Sequence, residues 1–308
     1  MARHLLSLED VPAAEIDRLF ERAAHFKKNR RNHERPLEGK SVALVFEKAS
    51  TRTRVSFEVG IHEMGGTPIF MSGQETHLVR GEEPRDVGRV LSRYVHVIAA
   101  RTYEHRTLLD LAKHADVPVI NALSDEEHPC QALADLLTVL ERFGTLRGVR
   151  LAFIGDGFNV AASLAAGAAL AGVSFAIASP DGYSLPEPTL RLIRAAAAKH
   201  GAQIDTYTVP EDAVRGADVV YTDVWASMGQ EDSVSQRKEA FTGYTVTAKM
   251  MALAKPGAIF MHDLPAHRGE EVTDDVIEGA QSVVFDQAEN RLHAQKAILA
   301  LVASDCEL

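Results

Sequence analysis

Cysteine is nearly absent from this chain: Cys130 and Cys306 are the only two. Two thiols cannot build a disulfide framework or a cysteine-rich zinc site. Their scarcity fits a reducing, cytoplasmic setting. Positive charge is also short. Lys and Arg number 33 against 43 Asp and Glu, a formal net charge of −10. That argues against nucleic acid as a partner, because cationic contacts to phosphate dominate such binding; a small local phosphate site stays open. Long apolar runs are missing too. Residues 1–10 hold no apolar core of signal-peptide length. Residues 160–179 are almost uncharged, but they are built from Ala, Gly and Ser and are divided by Gly172. They read as a buried helix and then a buried strand, and no membrane is expected as a partner. Repeats, low-complexity tracts and long linkers are absent as well.

What is present is ordinary globular composition, with 46% hydrophobic and 25% charged residues. Disorder is excluded, because it requires low hydrophobicity. A length of 308 residues makes two domains the default at roughly 100–200 residues each. Short β-branched runs alternate with helical ones. Strands are predicted at 41–47, 68–71, 96–101 and 118–122, then at 150–155, 174–179, 203–209, 219–223, 258–263 and 282–285. They are continuous apolar runs, as in parallel sheets covered on both faces. The expected fold is therefore α/β, with two doubly wound parallel-sheet domains. A long helix at 128–142 precedes a turn at 143–146, which is the expected boundary. The last helix is expected at 288–304.

Six clusters carry chemistry. In the first, Ser50-Thr51-Arg52-Thr53-Arg54 follows a buried strand and opens a helix. Free first-turn amides and the helix dipole favour an anion there, and Arg52 adds bidentate contacts to phosphate. No G-x-x-x-x-G-K-[ST] loop occurs, and a solvated helix cap would use the same residue types. In the second, His128 and Gln131 are three apart around Pro129 and share a helix face; a plain helix start explains this equally. The third, Gly155-Asp156-Gly157-Phe158-Asn159, looks dinucleotide-like, but Val160 stands where a third glycine is required. Asn159 can instead reach into a cleft at the strand ends. The fourth, Asp223-Val224-Trp225-Ala226-Ser227-Met228-Gly229, offers a carboxylate able to hold an ammonium, or a merely structural Asp. The fifth is His262-Asp263-Leu264-Pro265. The sixth, at the start of the last helix, supplies Arg291, which is otherwise a charge on a solvated face.

Together these residues resemble the carbamoyltransferase family, and within it the ornithine branch, over almost the whole chain from 46 to 296. Ser50-Thr51-Arg52-Thr53-Arg54 and His128-Pro129-x-Gln131 look like the motifs for carbamoyl phosphate. Asp223-x-Trp225-x-Ser227-Met228-Gly229 looks like the ornithine-branch motif. The resemblance implies that Ser50, Thr51, Arg52, Thr53, His77, Arg101, His128, Gln131, Asp263, Leu264 and Arg291 bind carbamoyl phosphate. It implies that Asn159, Asp223, Ser227 and Met228 hold L-ornithine, and that Arg101, His128, Asp223, Asp263 and Arg291 serve catalysis. It further implies domains at 1–143, joined by the returning helix 288–308, and at 144–287. No metal or cofactor is implied. A homotrimer or multiple of trimers is, with shared active sites and His77 on the loop lent by a neighbouring subunit.

The implied chemistry suits these residue types. An amine attacks the carbonyl carbon, charge builds on its oxygen, and cationic and imidazole donors stabilise that charge most in the transition state. Three positions depart from the pattern. Asp263 stands for the usual Cys, His77 for a Gln, and Phe158 for the first of two Asn. Asp263 sets a second carboxylate beside Asp223. The pair either favours the substrate's unreactive ammonium form or shares a proton, one member serving as base. A different amine acceptor, or a carbamoyltransferase-like protein of low activity, are the alternatives this leaves. An amino acid is favoured over putrescine, which has no α-carboxylate for the Ser227-Met228-Gly229 loop to hold.

Overall fold

The computed structural model describes residues 2–30, 32–73, 76, 78, 81–226 and 234–303. The chain forms two compact units, one of Met1–Leu137 with Glu289–Leu308 and one of Thr138–Ala288. The division falls inside a helix, ahead of the turn at 143–146.

The first unit contains α1 (Ala13–Lys28), β1 (Ser41–Phe46), α2 (Thr51–Glu63), β2 (Thr67–Ser72), α3 (Pro84–Leu91), β3 (Val97–Arg101), α4 (His105–His114), β4 (Val119–Leu123) and the start of α5 (Pro129–Phe143). Its sheet is parallel, in the order β2-β1-β3-β4. β1 and β3 are apolar runs buried almost end to end. Of the two edge strands, β2 is half-exposed and β4 is buried throughout. The chain leaves β1 toward β2 on one side and returns to β3 on the other. The order therefore reverses between β1 and β3, the place where open α/β sheets bind ligands.

The second unit contains β5 (Arg150–Ile154), α6 (Asn159–Ala171), β6 (Ser174–Ala178), α7 (Glu187–His200), β7 (Ile204–Tyr207), α8 (Pro210–Val214), β8 (Val219–Thr222), α9 (Val234–Ala240), α10 (Ala248–Met251), β9 (Ile259–His262) and α11 (Asp274–Ile277). Its parallel sheet runs β7-β6-β5-β8-β9, so its order reverses between β5 and β8. The uncharged stretch 160–179 is a buried helix, a left-handed cap at Gly172 (φ 75°) and a strand. No described helix is long and apolar enough to cross a membrane.

One expectation fails. No strand forms at 282–285: Ser282 makes a single bridge to Phe260, and α12 (Val284–Ala303) begins two residues later. Val283 and Val284 are buried, and a short apolar run does not tell strand from helix by periodicity. The last helix accordingly starts ahead of the expected 288, and its residues from Glu289 onward belong to the first unit.

Candidate active site

In the first unit, the register pairs Phe46 with Arg101, so the exits of β1 and β3 lie side by side at the order reversal. Ser50 caps α2: its Oγ accepts from the Thr53 amide at 3.3 Å and donates to Thr53 Oγ1 at 3.1 Å. Thr51 and Arg52 follow on the first turn, Thr51 exposed and Arg52 half-buried. Arg291 of α12, itself buried, donates to Thr53 Oγ1 at 2.9 Å and to Gln131 Oε1. Gln131 Nε2 in turn donates to the buried Asp135 at 2.7 Å. One guanidinium thus ties the starts of α2 and α5 to α12, and the Asp135 carboxylate fixes which way the Gln131 amide points.

His128 and Arg101 are buried in the same unit. The His128 carbonyl accepts the first helical bonds of α5, from Gln131 at 3.1 Å and Ala132 at 3.2 Å. Burial holds its imidazole well below the ordinary range, and the positive charges of Arg291 and Arg101 push it further the same way. At neutral pH it is a neutral hydrogen-bonding group. The neighbouring Cys130 thiol is buried and pushed up to about 12, so it is no nucleophile.

In the second unit, Asn159 opens α6 at the exit of β5, buried, with its Oδ1 accepting from the Val160 amide at 2.9 Å. The glycines before it serve the backbone. A Cβ on Gly157 would fall 2.3 Å from the Leu185 nitrogen, a reason for glycine that involves no dinucleotide. The register of β8 and β9 pairs Thr222 with His262, which sets the next residues, Asp223 and Asp263, beside each other. Burial raises the Asp223 carboxyl well above the usual range, and the charge of Asp263 and a hydrogen bond with it add to the rise. Two close carboxylates then retain a proton between them.

His262 is fully buried between carboxylates. Its Nδ1 accepts from the Leu264 amide at 2.9 Å and its Nε2 faces Glu271 Oε1 at 3.2 Å. Nε2 therefore carries the proton in this arrangement. Burial works against protonating the ring, but the neighbouring carboxylates of Asp263 and Glu271 outweigh it and raise its pKa. Asp223, His262 and Asp263 each bring a ligand atom within 4.8 Å of the others, as do His267, Glu270 and Glu271. The His262 Nδ1 lone pair is already taken by Leu264, and acidic groups alone do not make a metal site.

Of the sequence-predicted residues, Ser50, Thr51, Arg52, Thr53, Arg101, His128, Gln131 and Arg291 belong to the first unit, and Asn159, Asp223, Asp263 and Leu264 to the second. His77, Ser227 and Met228 lie outside the described residues. Asp135 and Glu271 were not foreseen. Asp135 is a lone acid inside an apolar pattern and Glu271 one of several acids in a polar stretch, and only burial marks either as an orienting partner.

Residues 3–141 match the carbamoyl-P binding domain of the aspartate/ornithine carbamoyltransferases, and residues 147–302 match their Asp/Orn binding domain. The ornithine carbamoyltransferase of Symbiobacterium thermophilum is 53% identical, over 97% of each chain. The anabolic ornithine carbamoyltransferase of Pyrococcus furiosus is 51% identical over 97% of this chain and 96% of its own. The solved ornithine carbamoyltransferase structure from Pyrococcus furiosus superposes with a TM-score of 0.96 at 50% identity, covering 99% of this chain and 98% of that one. A solved N-acetyl-L-ornithine transcarbamylase, a mutant complexed with PALAO, superposes with a TM-score of 0.87 at 32% identity, covering 97% and 99%.

Proposed function

Because the chain belongs to the aspartate/ornithine carbamoyltransferase family, we propose that it moves the carbamoyl group of carbamoyl phosphate to the side-chain amine of L-ornithine, giving L-citrulline and phosphate. The observation that carries this beyond family likeness is the Thr53–Arg291–Gln131–Asp135 chain of hydrogen bonds. It aims a guanidinium and an amide carbonyl at one place, beside the start of a helix.

Ser50, Thr51, Arg52 and Thr53 hold the phosphate, with Arg101 reaching its oxygens and the carbonyl. The amine nitrogen attacks the carbonyl carbon, the bond from that carbon to the phosphate oxygen breaks, and the amine gives up a proton. Arg101, Arg291 and neutral His128 donate to the carbonyl oxygen as its charge grows, and the Gln131 carbonyl accepts from the carbamoyl amide. Asn159, Asp223, Ser227 and Met228 hold the amino acid. Asp263 and Leu264 remain among the carbamoyl phosphate contacts, and Asp223 with Asp263 sets the proton state of the amine. Positioning two substrates for attack supplies much of the rate.

The working form is a homotrimer or a multiple of trimers in the cytoplasm, with His77 given to a neighbour's site. The half-exposed edge strand β2 and its exposed Ile69, with Val55 exposed on α2, support association through the first unit. Cysteine usage supports the compartment. The direction is biosynthetic, toward arginine, on the likeness to relatives named anabolic. Several relatives named for ornithine are 50% to 53% identical, against 32% for the solved structure named for N-acetyl-L-ornithine, which favours the unmodified amino acid. The test is an acceptor screen with carbamoyl phosphate, scoring ureido product and phosphate with ornithine, N-acetylornithine, lysine and putrescine. Citrulline from ornithine at the highest kcat/KM is expected. Phosphate release with another acceptor alone would overturn the assignment.

A further inference from the structure

The second unit holds a buried ion pair that the reaction scheme does not use. Arg237, on α9, donates from Nη1 to Asp156 Oδ2 at 2.5 Å and to the Trp225 carbonyl at 2.9 Å. Both charged side chains are largely shielded, with 13% and 9% of their surface exposed. The Arg237 guanidinium also lies 5.1 Å from the Tyr183 ring centre. Tyr183 meets Phe241 edge-on at 5.2 Å, and Trp225 stacks on the other side of the cluster, 5.6 Å from Phe241. The Tyr183 carbonyl accepts from the Gly157 amide at 2.7 Å. One guanidinium therefore gathers three segments: the turn after β5, the loop after β6 and the exit of β8.

Two of those segments carry the amino-acid site. Asp156 stands three residues before Asn159, and Trp225 stands two residues after Asp223. We propose that Arg237 is a positioning residue for the amino-acid substrate: held between Asp156 and the Trp225 carbonyl, it fixes the turn bearing Asn159 relative to the strand exit bearing Asp223. This rests on the ornithine reading above. The residue type is suited to the task. A planar fork can bond a carboxylate and a carbonyl at once and still lie flat on an aromatic ring, where a lysine offers only a point charge. The carboxylate is suited as well. Burial raises the pKa of Asp156 above the usual carboxylate value, and the charge of Arg237 and a hydrogen bond from it oppose that rise.

The test is steady-state kinetics of Arg237→Gln, Arg237→Lys, Asp156→Asn and the Asp156→Asn/Arg237→Gln double variant, with thermal unfolding of each. Breaking one partner of a shielded pair leaves the other uncompensated, so ornithine KM should rise about tenfold or more in each single variant. Carbamoyl phosphate KM should stay within about twofold, because its contacts belong to the other unit, apart from Asp263 and Leu264 after β9. Arg237→Lys should fall between wild type and Arg237→Gln, and it is the variant to read if Arg237→Gln does not fold. The double variant should lose no more than the worse single one, since both remove the same link. An ornithine KM unchanged in folded variants would overturn the proposal. So would an equal rise in both KM values alongside a lowered melting temperature, which marks a merely structural pair. The two readings fail separately: a wild-type protein that makes no citrulline refutes the ornithine assignment, whereas an active one with indifferent variants refutes only the role of Arg237.

Discussion

Replacing Asp263 by Asn should stabilise the protein, and the gain should depend on pH in a defined way. Carboxylate oxygens of Asp223 and Asp263 lie within 4.8 Å of each other. At that distance two full charges repel by about 3.5 kcal/mol at an effective dielectric constant near 20. The folded protein avoids this by keeping a proton on Asp223, whose pKa is raised by burial first and by Asp263 second. The sign follows from proton counting. Between the ordinary carboxylate pKa, about 4, and the raised folded value, the folded state binds a proton that the unfolded state has lost. Stability therefore falls by about 1.4 kcal/mol per pH unit through that window and levels off above it. Asp263→Asn removes the charge and supplies an amide donor to the remaining carboxylate, so the window closes at a lower pH. The variant should match the wild type near pH 4 and exceed it by about 1–3 kcal/mol at pH 8, the Coulomb figure above setting the ceiling. Equilibrium urea unfolding from pH 4.5 to 8.5, at fixed protomer concentration, reads this directly. Stability curves that run parallel across that range would refute the shared-proton account.

Other outcomes follow from the same site. Asp263→Cys should raise turnover near pH 7.5 and move the pH–rate profile to lower pH, because one fewer carboxylate holds the substrate amine as ammonium; sharply lower turnover in a folded variant would instead make Asp263 the base. Arg52→Ala should abolish carbamoyl phosphate binding in calorimetry with little change in melting temperature, a loss on the order of 2–5 kcal/mol, and unchanged binding would remove Arg52 from the cradle. Carbamoyl phosphate should bind first and sharpen the amino-acid site, so an unreactive analogue of it should increase ornithine affinity; equal ornithine affinity with and without the analogue would contradict this order.

The parallel sheets were legible because their central strands are unbroken apolar runs. Ser41 to Phe46 and Arg150 to Ile154 are buried on both faces, and neighbouring helices supply no competing pattern. The run at 282–285 misled for the same reason, since Val283 and Val284 would be buried as strand or as helix. The helix start proposed to hold the phosphate stood out because hydroxyls, guanidiniums and a Ser50 cap coincide within five residues, Ser50 to Arg54. Asp135 and Arg237 did not. Asp135 bonds Gln131 only four residues away and Arg237 bonds Asp156 in a turn that glycine alone explains, and a single charged residue carries no period. The Asp223–Asp263 contact was anticipated from the family resemblance, and the strand register supplies its cause.

The bond from Arg291 to Thr53 spans 238 positions of the chain, and it bears on the order in which a ribosome delivers the parts. The first unit needs residues from Glu289 onward, so Thr53 and Gln131 stay without the Arg291 guanidinium until the second unit has already been synthesised. The second unit is one uninterrupted stretch from Thr138 to Ala288 and meets no such delay. Long-range closures of this kind are slow and leave apolar surface waiting. Loss of α12 would therefore cost more than one helix: it would strand the first half of the chain with an unfinished core and without the guanidinium that joins Thr53 to Gln131.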